Sequence, residues 1–205
     1  MAITAQAVKA LRERTGTGMM DSKRAVEATD GDLEKAIDWL RRKGIARASA
    51  QAGRVAREGV IEIYVHHNHQ LGVLLELNSE SDFVARSAEF RELAHEIAVH
   101  IAAATPRFLR REDVPDDVVE ARRTEFREAA VARKKPAQVV QNIVDGKLNE
   151  FFKDRVLLDQ PWAKDDKRTV SDVLHEGIAK LGENITVARF ARFKVRDEAE
   201  LPEAV

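Results

Sequence analysis

Apolar positions recur every three or four residues at the start of the chain, switch to every second residue near Gly59, and later return to helical spacing. Thr4 can cap a first helix carrying Val8 and Leu11, which stops at Thr15-Gly16-Thr17-Gly18. A second helix runs through Met19, Met20, Ala25 and Val26. Asp30-Gly31-Asp32 breaks it and caps a third, with Leu33, Ala36, Ile37 and Leu40 at helical spacing. From Val60 to His66 the residues are β-branched and aromatic, with Ile61, Ile63 and Val65 on one face. His67-Asn68-His69-Gln70 makes a turn, and Leu71, Val73, Leu75 and Leu77 align on the return, which predicts a β-hairpin. A long helix follows from about Asp82 to Ala104, with Phe83, Phe90, Leu93, Ile97 and Ile101 along one stripe, and Pro106 ends it. Further helices are predicted over 116–133 and 136–152, the second opened by Pro136, with Gly146 a candidate break. After Pro161 and an Asp165-Asp166-Lys167 turn, Thr169-x-x-Asp172 has the form of a capping box for a helix to Leu181. Gly182 stops that helix, and Ile185 to Val195 reads as a last strand.

Charge refines the organisation. Arg41, Arg42, Lys43, Arg47, Arg54 and Arg57 follow one another with no acid between them, and the intervening alanines favour helix, with Gly44 and Gly53 as breaks. The tail holds Asp197, Glu198, Glu200 and Glu203 and is expected to fray. The expected division is a three-helix domain over 1–44, a partly helical basic linker over 45–58, a core domain over 59–196 and an acidic tail over 197–205. The fold class is α+β: an antiparallel three-stranded sheet packed with helices, preceded by a small helical bundle.

Composition mostly excludes. The 205 residues suit one or two domains, and 44% hydrophobic residues are enough for a folded core. At 34%, charged residues exceed the usual ~25%, so much helix surface is solvated. With no cysteine there is no disulfide, thiolate nucleophile, Cys-ligated zinc or iron–sulfur cluster. A net charge of −1 argues against a dedicated nucleic-acid binder. Met1-Ala2-Ile3-Thr4 has neither the basic nor the apolar region of a signal peptide, and no apolar run is long enough to span a membrane. A soluble, cytoplasmic protein is expected.

Catalytic patterns fail on spacing. His95-Glu96 and His100 imitate a zinc-protease helix, but at i and i+5 the rings point about 140° apart. His66, His67 and His69 cluster at a turn with no nearby Cys partner and read as solvated turn histidines, and Asp30-x-Asp32 lacks the rest of a calcium loop. Gly16-x-Gly18 is a fragment of a dinucleotide fingerprint with no strand before it, and the chain holds neither G-x-x-x-x-G-K-[ST] nor G-x-S-x-G. No cofactor and no catalysis by this chain are expected.

Apolar residues in odd places remain. Met19 and Met20 are adjacent at a helix start, about 100° apart, so both can hardly face one small core. Methionine suits adaptable binding surfaces, and packing of one of the pair stands beside that reading. Phe83 and Val84, after the capping residues Ser81 and Asp82, pose the same problem. For such a pair the commoner outcome packs Phe83 beneath its own helix.

At these residues the sequence resembles the elongation factor Ts family, the nucleotide-exchange partners of elongation factor Tu. The resemblance rests on Leu11-Arg12-Glu13-Arg14-Thr15-Gly16-Thr17-Gly18-Met19-Met20-Asp21, on Ser81-Asp82-Phe83-Val84-Ala85, on the hairpin strand Leu71–Asn78 and on Gly182-Glu183-Asn184-Ile185. It implies a ubiquitin-associated-like three-helix domain ahead of the α+β core. It also implies a wedge, Ser81, Asp82, Phe83 and Val84, that enters the GDP-bound partner near its magnesium ion, displaces the ion and weakens GDP binding. Arg12, Met19 and Met20 are then docking contacts, and His67 is the positional match to a hairpin-turn histidine that also reaches the partner. Thr17, Ser22, Ser79 and Ser81 stand where relatives carry Ala, Cys, Cys and Thr, small exchanges that leave the wedge intact. Long family members carry two core subdomains and this chain has one, which implies a homodimer, necessarily non-covalent.

The resemblance is physically coherent. An exchange factor works by binding the nucleotide-free state better than the GDP-bound one, a reciprocal coupling that needs no catalytic base. The alternative is an RNA-associated translation protein using the basic linker. That stretch lacks aromatic residues for base stacking, so no direct nucleic-acid binding is expected.

Overall fold

The computed structural model describes residues 5–15, 17–51, 53–133 and 136–196. The cap at Thr4, the break at Gly16 and the acidic tail over 197–205 lie outside the described residues. The fold is α+β, as the periodicities predict. By internal contacts the chain forms two units: Met1–Val60 with Leu77–Leu93 and Asp172–Thr186, and Ile61–Glu76 with Ala94–Ser171 and Val187–Val205.

In the first unit, α1 (Ala5–Thr15), α2 (Met19–Ala28) and α3 (Leu33–Gln51) pack around Val8, Leu11, Ala25, Val26 and Ala36. Asp30 (φ 51°) and Gly31 (φ 86°) make the left-handed turn that ends α2, where glycine carries no steric penalty. Asp32 caps α3 by accepting the Lys35 N–H at 3.1 Å, and that bond holds its carboxyl below the usual carboxylate range. Gly44 does not break α3. A Cβ at that position would lie 3.4 Å from the Cβ of Ala179, so the glycine lets two helices approach. The basic stretch is therefore helical as far as Gln51.

The strands are β1 (Glu58–Val65), β2 (Leu71–Ser79), β3 (Pro161–Trp162), β4 (Asp165–Thr169) and β5 (Thr186–Lys194), forming a β1-β2-β5 sheet and a separate β3-β4 hairpin. His66 N–H donates to Leu71 O at 2.9 Å, and Val195 N–H donates to Gln70 O at 2.8 Å. With Arg189 Nε on Glu76 at 2.8 Å, these bonds fix antiparallel pairing on both sides of β2. Val73, Leu75 and Leu77 of β2 are buried. Gly59 is required: a Cβ there would sit 2.3 Å from Leu77 O.

The long helix expected over 82–104 is two helices, α4 (Asp82–Ala85) and α5 (Ala88–Ala104). Ser87 restarts the chain: its Oγ accepts the Phe90 N–H at 3.2 Å and its hydroxyl donates to Val84 O at 2.8 Å. Phe83 is thereby out of phase with the buried Phe90, Ile97 and Ile101.

In the second unit, α6 (Asp116–Ala132) and α7 (Ala137–Arg155) form a helical hairpin around Ala130, Val140, Val144 and Leu148. Gly146 lies inside α7 without interrupting it. The β3-β4 hairpin is too short to show a period of two in the sequence, and α8 (Val170–Leu181) follows it. His100 is buried, stacked on Trp162 with ring centroids 5.0 Å apart. Its Nδ1 accepts the Ala163 N–H at 3.2 Å, which leaves Nε2 as the donor to Gln160 Oε1 at 3.1 Å. The Gln160 amide donates in turn to Ala104 O and Asp154 O, so one buried network ties the ends of α5 and α7 to β3.

Candidate functional site

β2 delivers the chain into a turn whose polar groups are nearly all engaged. Buried Ser79 donates its hydroxyl to Ser81 O at 3.0 Å. Ser81 is the N-cap of α4, its Oγ accepting the Val84 N–H at 3.3 Å. The same Oγ donates to Glu183 Oε1 at 2.6 Å, and Ser81 N–H donates to Glu183 Oε2 at 3.0 Å. The adjoining Glu80 accepts the Asn184 N–H at 2.7 Å and pairs with Arg54 at 3.5 Å. Asn184 Nδ2 donates to Arg54 O, and Gln51 Nε2 to Gly182 O. Capping, ion pairing and backbone bonds thus converge on a single turn of helix.

That turn separates two neighbours. Val84 is 7% exposed and belongs to the core, while Phe83 is 83% exposed. The pattern-based preference for Phe83 packed beneath its own helix is therefore overturned. With one turn of helix and Ala85 also buried, Val84 and Ala85 use up the inward face and Phe83 has none left. Asp82 stands beside it at the surface, 2.9 Å from Arg86. An exposed i,i+4 pair of this kind stabilises by a few tenths of a kcal/mol, so the carboxylate is loosely held.

Met19 and Met20 open α2 and are 54% and 59% exposed, so neither joins the bundle core. Arg12 is exposed on α1, in the same unit. Behind the methionines Asp21 pairs with Lys43 at 2.7 Å, and Lys43 lies over the Trp39 ring. Two more cations of the basic stretch are also matched, Arg41 by Asp38 and Arg54 by Glu80. A run that reads as free positive charge in the sequence is partly neutralised in space.

His67 is exposed at the β1–β2 turn, in the second unit. Its ring lies 4.1 Å from that of His66, which shares a 2.8 Å hydrogen bond with Tyr64. His95 instead pairs with Glu62 at 2.8 Å. Among the described residues no three His, Asp or Glu side chains are placed to hold a metal ion, and no helix is long and apolar enough to cross a membrane. A cleft of about 600 Å³ opens beside Phe108 and Phe151, but rim cations Arg122 and Lys147 are paired with Glu125 and Glu150.

The sequence names Arg12, Met19, Met20, His67, Asp82 and Phe83, all of them exposed, but assigns no site role to Glu80, Glu183, Asn184 or Arg54. Only Gly182-Glu183-Asn184 carried a signal, a carboxylate directly after a helix-stopping glycine. Nothing local connects it to Ser81, 102 positions away.

Residues 44–197 match the family model described as Elongation factor TS. The chain is 53% identical over 195 residues to the elongation factor Ts of Fervidobacterium nodosum, covering 95% of this chain and 99% of that protein. It is 54% identical over 193 residues to the elongation factor Ts of Carboxydothermus hydrogenoformans, covering 94% of this chain and 89% of that one. With the elongation factor Ts of Syntrophomonas wolfei the identity is 49% over 198 residues, 97% and 92% of the two chains.

Proposed function

The chain belongs to the elongation factor Ts family, and from that premise we propose that it binds GDP-bound elongation factor Tu and promotes release of GDP. It then holds the nucleotide-free partner until GTP enters. It acts in the cytoplasm as a binding protein, not as an enzyme. Residues 1–44 dock through Arg12, Met19 and Met20, and the core over 59–196 carries the wedge Ser81, Asp82, Phe83 and Val84, with His67 as a further contact.

The observation that carries this reading is the ring of Phe83, almost wholly in solvent on a turn held by the Ser81 cap and the Ser79 and Glu183 bonds. An aromatic ring with two rotatable bonds supplies rigid contact area at low entropic cost. Asp82 beside it is a carboxylate able to compete for the partner's magnesium shell. Moving that ion removes the charge that holds the diphosphate, and the nucleotide leaves. Val84 acts from below, as the core anchor of the turn.

A homodimer belongs to the same proposal. Ile61, Ile63 and Val65 of β1, Leu74 of β2, and Phe193 of β5 with Val195 beyond it are all exposed, an apolar sheet face left uncovered by the described residues. Such faces are buried in stable sheet proteins by a second sheet about 10 Å away. A second copy of this chain offers a self-complementary one.

The test is release of labelled GDP from elongation factor Tu with and without this protein. Acceleration that saturates with concentration supports the proposal; an unchanged rate with demonstrable binding refutes it.

A further inference from the structure

We propose that Glu183 is a positioning residue for the wedge, and that the Gly182–Asn184 turn is the joint that sets the heading of Phe83. This rests on the wedge reading above and adds a residue that contacts no nucleotide and need not touch the partner.

The argument begins with how little α4 can do for itself. One turn of helix is far below the length that is stable alone, since nucleation costs more than a first hydrogen bond returns. Val84 and Ala85 fix its inward face, but a single apolar contact patch leaves rotation about that patch unopposed. Ser79 on Ser81 O and Ser87 on Val84 O each add one bond, and the Glu183 carboxylate adds two, taking both donors of Ser81, one on each oxygen. Two charge-assisted bonds to a backbone N–H and a hydroxyl define a direction as well as a distance. Ser81 then caps the turn with the lone pair left over.

Glu183 is itself held by its neighbours. Gly182 is left-handed at φ 80°, turning the chain out of α8, and its carbonyl accepts from Gln51 at the end of α3. Asn184 bonds Glu80 through its N–H and Arg54 O through its side chain. Three consecutive residues therefore bond both the wedge turn and the segment that leads back to the helical bundle, all within one unit. Phe83 is aimed from the same joint that anchors α3.

The experiment is the concentration dependence of GDP release from elongation factor Tu for Glu183→Ala, Glu183→Met, Glu183→Gln, Phe83→Ala and the corresponding double variants. Displacing a reacting group by about 1 Å can cost 10²-fold, so Glu183→Ala and Glu183→Met are expected to lower the saturating rate roughly 10- to 100-fold. The half-saturating concentration stays near that of the wild type, because the methionine contacts are untouched. Glu183→Gln, which keeps an acceptor, restores part of the rate. In the Phe83→Ala background the Glu183 substitutions cause no further loss, since there is no ring left to aim. If Phe83→Ala itself releases GDP at the wild-type rate, the wedge reading fails. If Phe83→Ala is slow while the Glu183 variants are fast, the positioning role alone fails. Losses that multiply in the double variants also overturn it, because they mark a general structural effect. Should Glu183→Ala not fold by circular dichroism, Glu183→Met, which keeps the volume without the acceptor oxygens, decides.

Discussion

Phe83 and Val84 are consecutive residues with opposite surroundings, the valine sealed in the core and the phenylalanine ring in solvent. Their stabilities on truncation should separate accordingly. Phe83→Ala is expected to change the unfolding free energy by less than about 0.5 kcal/mol, as surface substitutions do. Val84→Ala is expected to cost roughly 1–3 kcal/mol through lost burial and the cavity left behind. Urea denaturation of both variants checks this. A loss of about 3–5 kcal/mol for Phe83→Ala would mean that the ring is packed.

The exposed sheet face predicts an assembly that a single charge can break. Ile63→Glu and Phe193→Glu each place a carboxylate where the proposed dimer would bury it, a cost of several kcal/mol with no partner cation. Sedimentation equilibrium is expected to give a dimer for the wild type and a monomer for both variants, with unchanged circular dichroism. A wild-type monomer at micromolar concentration would remove the dimer.

Two glycines should respond to alanine with opposite signs. Gly182 is left-handed, and a Cβ there meets nothing within 4 Å, so only the backbone conformation opposes substitution. Gly182→Ala is expected to destabilise by about 1–2 kcal/mol. Gly146 lies exposed in the interior of α7, also with open space around it. Gly146→Ala is expected to stabilise by about 0.5–1 kcal/mol by removing backbone freedom from the unfolded chain. Thermal melts of the two variants, run side by side, read the difference directly.

Burial pushes the His100 imidazole below its ordinary value, and its hydrogen bond to Gln160 only partly opposes this. The folded state then binds fewer protons than the unfolded one below about pH 6.5, where a free histidine charges. The stability contributed by neutral His100 is complete above that pH and falls as acid is added, down to the folded-state pKa. The melting temperature is expected to drop between about pH 7.5 and pH 5.5, and His100→Gln to flatten that slope while lowering stability throughout. An equally steep slope in His100→Gln would assign the effect to other groups.

Most helices, and β2, were legible because one face at a regular period lines the core: Leu33, Ala36, Ile37 and Leu40, or Val73, Leu75 and Leu77; β1 was legible from the equally regular Ile61, Ile63 and Val65, whose face is exposed. Legibility failed where a local polar contact outweighs the period. Ser81 and Ser87, six residues apart, split a stripe that on hydrophobic spacing alone continues from Phe83 to Ile101. Gly44 reads as a break and is a contact surface, because a glycine's meaning depends on what lies opposite it. The β3-β4 hairpin has too few residues for any period to register. At the candidate site, local pattern favoured a packed Phe83 and only the family motifs singled out its exposed ring, while nothing local tied Glu183 and its neighbours to the Ser81 turn that they bond. Glu183 meets Ser81 only once α8 and β2 are folded, and no spacing along the chain encodes that meeting.

The uninterrupted course of α3 has a consequence for how two contacts add. Nineteen residues at about 1.5 Å each give a rod of about 28 Å. One end is built into the bundle through Ala36, and the other is bonded to Gly182. A flexible tether between two binding patches makes the second attachment a search, whose entropy grows with the slack. A helical spacer removes the slack, so under the proposed docking, engagement of the methionine end would present the aromatic end at a high effective concentration if the span matches, and at almost none if it does not. On the proposed docking, the length of α3 would set the spacing between two receptive spots that a partner must present.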